Sequence, residues 1–317
     1  MVNMSVLQNK IDFALVFTVH NANPNGDPLD GNRPRTTYTG HGEVSDVCLK
    51  RKIRNRWIDE GYPVFVQSDD RRAPGDSYRS LKERAEGCPA LKELQNAIAA
   101  GKEAKTGAPA AIQDDYMRIA CQTWLDVRAF GQVFAFKTKK SPKKGDKDGE
   151  NKDEEGGKDM YPSIRGPVSI QSAFSLEPVN VVSTQITKSV NLEPGGKGAD
   201  TMGLKHRVEY GVYVTYGSIN VQPAEKTGFS VEDALALREA LRTLFRNDSS
   251  SARPDGSMEV AKLIWWEHNC KSGQYPAAKV HRSLRVGAQE FAPGVRPDVS
   301  VDETEIPGLQ YTIIDGE

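Results

Sequence analysis

Apolar and polar residues alternate along residues 11–21, IDFALVFTVHN, and one side of the segment carries Ile11, Phe13, Leu15, Phe17 and Val19. A period of two residues is typical of a strand with one buried face. Residues 166–187 and 206–220 alternate in the same way, and residues 259–269 form a further apolar run. The pattern predicts strands in these four segments, the first of them half-buried.

Helical spacing separates these strands. Ser45 can cap a helix that presents Leu49, Ile53 and Trp57 and ends near Gly61. Residues 113–130 form a second candidate helix, for which Gly131 supplies a stop. Ser230 and Asp233 form a capping box for a third. The core order is β-α-β-β-α-β, which predicts an α+β fold of the ferredoxin-like, RRM type.

The remaining segments interrupt this core. Residues 62–136 form an inserted subdomain, and residues 188–205 are rich in glycine, which favours a hairpin projecting from the sheet. Residues 137–159 contain no apolar side chain and are predicted to be a disordered charged loop. The core then comprises residues 1–61 and 160–296, and residues 297–317 form an acidic C-terminal tail.

Composition narrows the class of protein. The chain has 317 residues with 38% hydrophobic and 27% charged content, as expected of a soluble globular protein. No apolar run is long enough to span a membrane, and the N-terminus has no signal-like segment, which predicts a cytoplasmic protein without a membrane partner. The four cysteines and five histidines show no metal-binding spacing, so we expect neither a metal nor another cofactor.

Charge is unevenly distributed. The net charge is −1, and removing the six acids of residues 297–317 leaves +5 on residues 1–296. Local cationic patches govern phosphate binding more than the total does. A nucleic-acid partner therefore remains compatible with this composition.

The segment NPNGDPLDGNRPR, residues 23–35, follows the first predicted strand and is named here the polar loop. Its three prolines and two glycines predict that neither a helix nor a paired strand runs through it. With the residue just before it, the loop offers amides and guanidinium groups suited to phosphate or sugar, from Asn21, Asn23, Asn25, Arg33 and Arg35. A simple connecting turn is the alternative. A calcium loop is excluded because proline occupies its glycine and glutamate positions.

Residues 50–56, KRKIRNR, place five positive charges on the first predicted helix. Like charges four residues apart repel, and a polyanion would relieve that repulsion. The sequence predicts phosphate binding by Lys50, Arg51 and Arg54, with only Asp46, Asp59 and Glu60 nearby to compensate. Reversing Lys50 and Arg54 is expected to weaken RNA binding without unfolding. Polar strand residues are expected to join them: Ser169, Gln171 and Ser172.

Two acids of the polar loop permit a different chemistry. Asp27 and Asp30 could hold Mg²⁺ for phosphoryl chemistry. No further ligand is identifiable, and aspartates also stabilise turns. Metal-dependent cleavage of RNA therefore stands as the alternative to binding, and a purely structural assembly protein is a third hypothesis.

Four strings together resemble one known family: NPNGDPLDGNRPR, DVRAFGQVF at residues 126–134, GPVSIQSAFSLEPV at 166–179 and MGLKHRVEYGVYV at 202–214. They are similar to the CRISPR-associated Cascade backbone subunit of the type I-C system, of the RAMP superfamily. The resemblance implies an RRM-like palm, a helical finger region at residues 62–136 and a β-hairpin thumb at residues 188–205. Asn21, Asn23, Asn25, Arg33 and Arg35 match its polar loop.

The resemblance implies a non-catalytic subunit that polymerises along the guide RNA (crRNA) as a helical filament. Such a subunit holds the RNA backbone and presents the bases for pairing with target DNA. Its partners would be crRNA, the target DNA strand, other copies of itself, and the large, small and crRNA-processing subunits. The thumb region would add RNA contacts from Lys188, Lys205, His206 and Arg207. Related type III subunits cleave RNA with a loop aspartate, which keeps Asp27 and Asp30 as the alternative.

Overall fold

The computed structural model describes residues 5–72, 74–99, 109–134, 163–187, 202–287 and 291–317. The predicted charged loop at residues 137–159 and most of the predicted thumb, residues 188–201, lie outside the described residues. The strands are β1 (Ile11–Ala22), β2 (Gly26–Asp27), β3 (Arg33–Pro34), β4 (His41–Val44), β5 (Gly131–Val133), β6 (Ser163–Arg165), β7 (Val168–Ile170), β8 (Ala173–Pro178), β9 (Val181–Thr187), β10 (Met202–Ile219), β11 (Met258–Glu267), β12 (Leu284–Gly287), β13 (Asp298–Val301) and β14 (Gln310–Asp315).

The helices are α1 (Asp46–Asp59), α2 (Leu81–Gly87), α3 (Pro89–Ala99), α4 (Pro109–Thr123), α5 (Leu125–Phe130), α6 (Val221–Thr227), α7 (Val231–Arg242) and α8 (Ala277–Arg282), with a 3-10 turn at Asp69–Arg71. None of the helices in the described ranges is long and apolar enough to cross a membrane.

One large antiparallel sheet organises the chain, with strands in the order β14-β11-β1-β10-β8-β4. β7 and β9 pair with two further stretches of the long strand β10. The mixed helical and antiparallel architecture agrees with the predicted α+β class.

The first strand is central, with β10 on one side and β11 on the other. Phe13, Leu15 and Phe17 lie in the core under the helices, as their spacing predicts. Ala14 and Val16, between them, are equally buried in a second core on the opposite face. The prediction of a half-buried strand is therefore wrong, because small apolar residues at the intervening positions allow a second layer to pack there.

The second layer comes from the C-terminal part of the chain. Val280 of α8, Leu284 of β12 and Ile306 pack against Val16 and Trp266 in the second core. The acidic segment at residues 297–317 supplies β13 and the edge strand β14, which pairs with β11. Most of the sheet face that an RRM leaves open is thus covered by this protein's own chain.

Individual residues stabilise the helices and define their ends. The side chain of Ser45 caps α1, and Ser230 with Asp233 forms the predicted capping box of α7. Trp57 of α1 is fully buried, and truncating such a side chain to alanine costs about 3–5 kcal/mol. Gly131 ends α5 with φ 80°, a conformation that favours glycine.

Two predicted continuous elements are broken. The helix expected at residues 113–130 is two helices, α4 and α5, that meet at Trp124, whose backbone is extended. The strand expected at residues 166–187 is three strands, β7, β8 and β9. At the first break the backbone of Gln171 still binds β10, through its N–H to the Tyr216 carbonyl.

A third apolar cluster lies outside the two cores and defines the inserted region. Phe65, Leu91, Trp124 and Phe134 pack there, together with Ile164 of β6. Asp126 joins this cluster to α1, since its carboxylate accepts the backbone N–H groups of Phe65 and Val66 and the Arg54 guanidinium. This cluster is therefore anchored to α1 through a buried ionic contact.

Candidate nucleic-acid interface

The polar loop folds as a small hairpin. Gly26 and Asp27 pair antiparallel with Pro34 and Arg33, and the turn closes through Asn32, whose φ is 61°. The prediction that no paired strand runs through the loop is wrong. Asparagine tolerates the left-handed turn, and Pro34 needs only its carbonyl for pairing.

Two of the predicted loop asparagines hold the loop together. Asn23 is buried and its Nδ2 donates to the Asn32 carbonyl at 2.6 Å. The Asn25 Oδ1 accepts from the backbone N–H of Ser45 at 2.9 Å and from its hydroxyl at 2.8 Å. These contacts tie the loop to the first turn of α1. Asn21, in contrast, is exposed with φ 52°.

The structure brings the loop against β9 and β10. The exposed Arg33 donates through Nη1 to the Ser183 hydroxyl at 3.4 Å, and that oxygen lies 2.8 Å from the His206 Nδ1. Arg33 and Ser183 are separated by 150 residues in the chain. We call this place, where the polar loop meets the ribbon of residues 181–187 and 202–208, the junction. Two separately predicted groups, Arg33 and His206, thus share one surface.

The ribbon has two different faces. Ser183 pairs directly with His206, and Thr184 with Lys205, so alternate pairs face opposite sides. Lys205 and Arg207 share the second face, are both exposed, and form no ion pair with any described residue. Lys188 lies outside the described residues. The ribbon therefore presents two cationic groups, unpaired among the described residues, on the face opposite to Ser183 and His206.

In the basic helix α1, the positive side chains pair with carboxylates of this chain. Arg54 is only 13% exposed and its Nε lies 2.9 Å from the buried Asp126 carboxylate. Arg56 is buried and its Nε donates to the Thr243 hydroxyl, while its Nη groups bind Asp59 and Glu60. Lys50 pairs with Asp46 at 2.9 Å.

Lys52 shows how burial changes the pKa of a charged group of α1. Its ammonium group is buried against Asp248, beside the ring of Phe245. Burial lowers the pKa of Lys52, and the neighbouring Asp248 carboxylate offsets part of that effect. The expectation that only Asp46, Asp59 and Glu60 compensate this helix is wrong, because Asp126 and Asp248 arrive from distant parts of the chain. Charge spacing along one helix cannot reveal such partners.

One face of α1 still opens on solvent. Arg51 is 40% exposed, with Asp70 at 3.7 Å, and it lines a cavity of about 220 Å³. The other wall contains Arg71, Ser249, Ser250 and Arg253. Asp70 and Asp248 also line the cavity and pair with Arg51 and Arg253; the further N–H donors of these arginines and the serine hydroxyls suit a phosphate group. We call this cavity the arginine cavity.

The residues after α7 that form this wall were not predicted as part of the site. Their sequence signal is the run of serines before Arg253, which alone indicates only a loop. The Asn23 N–H donates to the Ala252 carbonyl at 2.9 Å, so the cavity adjoins the polar loop.

The predicted polar strand residues lie elsewhere. Ser169 pairs with Ser218 near the far end of β10. The junction residue His206 lies near the start of that strand, and twelve residues of strand span about 40 Å. Gln171 is exposed and Ser172 is partly exposed beside Ser169. The structure does not bring these three residues to the junction.

The two candidate catalytic acids differ in their contacts. Asp27 Oδ1 accepts the Leu29 N–H at 3.0 Å and lies 3.4 Å from the Arg35 guanidinium. Asp30 is exposed, and its backbone N–H donates to the Asp27 carbonyl. Within the described residues, no three acidic, histidine or cysteine side chains are grouped to hold a metal ion. Asp27 therefore shapes the hairpin and neutralises Arg35.

Comparison with known proteins places the chain in a family. The family model for CRISPR-associated protein Cas7 matches residues 9–306. A Cas7 protein of Haloferax volcanii is 25% identical over 304 residues, covering 94% of this chain and 82% of the relative. The chain belongs to the CRISPR-associated Cas7 family.

Two solved structures show a weaker likeness. A CRISPR RNA-guided surveillance complex in a pre-nicking state contains a chain with TM-score 0.45 and 16% identity, covering 81% of this chain and 78% of that one. A chain of another CRISPR RNA-guided surveillance complex gives TM-score 0.43 and 14% identity, with 89% and 78% covered.

Proposed function

We propose that this protein is a guide-RNA-binding backbone subunit of a CRISPR surveillance complex, and that the junction holds the sugar-phosphate backbone of the RNA. The observation that carries the proposal is the meeting of Arg33 with Ser183 and His206, on a ribbon whose opposite face presents Lys205 and Arg207. Contacts to phosphate position a nucleic acid without reading its sequence. The bases then remain available to pair with target DNA.

The arginine cavity extends this surface. It adds Arg51, Arg71 and Arg253 on the other side of the polar loop, with serine hydroxyls that can donate to phosphate oxygens. A chain of phosphates can contact several separate cationic sites at once. This argument favours a strand of nucleic acid over a small anion.

The palm of this subunit is RRM-like in this proposal. The four central strands support it, since the order β11-β1-β10-β8 is antiparallel throughout and the connections carry α1 and α7 on one face. We assign the type I-C system on the strings shared with its backbone subunit. In that assignment the partners are crRNA, the paired target strand, neighbouring copies of this chain, and the large, small and crRNA-processing subunits.

We assign the subunit a binding role without catalysis. The contacts of Asp27 with Arg35 and with the Leu29 N–H support this assignment, because they use the carboxylate within the hairpin. Metal-dependent cleavage by Asp27 or Asp30 is the competing function. The observation that favours this competing function is that Asp30 is exposed in the polar loop.

Purification with a guide RNA tests binding. The protein is expected to retain RNA, seen as a raised ratio of absorbance at nucleic-acid and protein wavelengths, and to release it as salt increases. A protein that assembles with protein partners only would carry no RNA at any salt concentration, which would overturn the proposal.

Incubation of the assembled complex with complementary RNA and Mg²⁺ tests catalysis. The proposal predicts intact RNA for the wild type, for Asp27→Ala and for Asp30→Ala. Regular cuts that disappear in either variant would establish the ribonuclease instead.

A further inference from the structure

The segment at residues 248–257 separates two cavities. The arginine cavity lies on one side and includes Ser249 and Arg253. A small cavity lined by Arg253, Gly256 and Ser257 follows, and a third cavity of about 250 Å³ continues from Gly256 and Ser257. Neighbouring cavities share residues of this one segment, and we call the three together the groove.

The far end of this groove is aromatic. His20 and Tyr210 line it, are directly paired across β1 and β10, and have ring centroids 6.5 Å apart. His20 is exposed and Tyr210 is partly exposed. The Tyr210 hydroxyl donates to the Val295 carbonyl at 3.5 Å, which orients its ring.

This end is a gap in the covered face of the sheet. Thr18 and His20 continue the row of Ala14 and Val16, since alternate residues of a strand share a face. Ala14 and Val16 are fully buried by the second layer, whereas His20 is exposed. The covering layer therefore reaches Tyr210, which packs against the second core, and leaves the neighbouring His20 ring exposed.

The gap also has polar groups in position. Ser257 lines it, is 9% exposed, and its hydroxyl has no hydrogen-bond partner among the described residues. Arg296 and Glu259 form an ion pair of 2.6 Å at the same cavity. The exposed His20 ring, with hydroxyl, guanidinium and carboxylate groups beside it, matches a nucleobase, which has a π face and hydrogen-bonding edges.

We propose that the His20–Tyr210 cavity binds one nucleobase of the strand whose phosphates lie at the arginine cavity. The His20 ring stacks on the base, the Tyr210 ring, inclined at 65° to it, borders the site, and Ser257 and Arg296 lie beside the edge of the base. The inference rests on the proposed RNA-binding function, and it adds a base contact to a surface otherwise suited to phosphate. Its position on β1 and β10 is where an open sheet of this kind would stack a base.

The test compares two single-stranded oligomers of equal length, an RNA and an abasic ribose-phosphate chain, binding to the full-length protein. Wild type is expected to prefer the RNA, since stacking contributes about 5- to 150-fold in affinity per base. His20→Ala should lose about tenfold of that preference, with the salt dependence of binding unchanged. His20→Phe should restore it, because a phenyl ring also stacks.

Tyr62→Ala is the matched control, since Tyr62 is an exposed aromatic residue after the end of α1. It should bind both oligomers as the wild type does. If His20→Ala keeps the full preference for RNA, the base site is refuted while RNA binding by the protein stands. If wild type binds neither oligomer, the proposed function itself fails.

Discussion

Helix α1 and the junction are both rich in positive charge in the sequence, and the fold treats them in opposite ways. In α1, Lys52, Arg54 and Arg56 are nearly buried and bind carboxylates, two of which lie on other elements. At the junction, Lys205 and Arg207 are exposed and without an ion-pair partner in the described part of the chain. Positive charge in a sequence is therefore available to a ligand only where the fold leaves it exposed.

Removing the internal partner of α1 should give the largest effect. Asp126→Ala leaves the Arg54 guanidinium and two backbone N–H groups without their acceptor, and breaking a buried ion pair costs about 3–5 kcal/mol. Chemical denaturation of the variant measures this loss. Asp115→Ala, which removes an exposed partner of Arg118, should change stability by about 0.5 kcal/mol or less. Equal effects of the two changes would contradict the structural role of Asp126.

Removing the positive charges of the junction should have the opposite result, with little effect on stability and a large effect on RNA binding. The triple variant Arg33→Ala, Lys205→Ala and Arg207→Ala should fold normally and lose RNA affinity. If each cation contacts one phosphate of a single strand, the slope of log affinity against log salt should fall by about 2. Titrations at several salt concentrations measure it, and Lys82→Ala, Lys92→Ala and Arg118→Ala together provide a control with the same change in charge. A slope unchanged in the junction variant would contradict the assignment.

The arginine cavity should give a smaller change in the same direction. Arg253→Ala removes one cation while Lys52 keeps Asp248 paired, so the salt slope should fall by about 0.7. The same titrations check it against Arg285→Ala, which removes an exposed cation paired with Asp302. Identical slopes for the two variants would exclude the cavity from the RNA path.

The smallest effect on stability is expected from a buried group of charges around His281. These charges are paired inside the fold, as those of α1 are, and are not exposed as those of the junction are. Burial lowers the pKa of His281 below its usual 6.5, partly offset by Asp12 and the Gly217 carbonyl; Lys10 and the stacked Tyr216 also lie close. The unfolded chain then binds the proton first, so stability should fall as pH decreases through about 6.5, by at most about 1.4 kcal/mol per pH unit.

Denaturation at pH 7.5 and pH 5.5 measures this dependence. His281→Gln keeps a donor for the Gly217 carbonyl but cannot titrate, so it should flatten the profile. An identical profile in wild type and variant would show that His281 does not contribute.

The local signals in the sequence predicted the main elements well. The caps at Ser45 and Ser230, the stop at Gly131 and the presence of strand β1 follow from short-range chemistry, and the structure confirms them. The second layer over the sheet could not be predicted, because it depends on β14 pairing with a strand about fifty residues earlier in the chain. Long-range pairing leaves little trace in local spacing.

The candidate site was predictable to a lesser degree. Arg33 and His206 meet through Ser183, whereas Lys205 and Arg207 lie on the opposite face of the ribbon, and Asn23 and Asn25 bind the chain itself. The expectation that reversing Lys50 and Arg54 leaves the fold intact must also change. A glutamate at position 54 would face Asp126, and the variant is now expected to be destabilised. Partners such as Asp126 become visible only in three dimensions.

Amide hydrogen exchange with and without bound RNA tests the central claim most directly. The account predicts slower exchange on binding at residues 21–35, 183–187, 203–208 and 249–257, with little change around Arg54 and Asp126. Protection confined to the exposed surface around Ser169 and Gln171, with the junction exchanging as in the free protein, would contradict it.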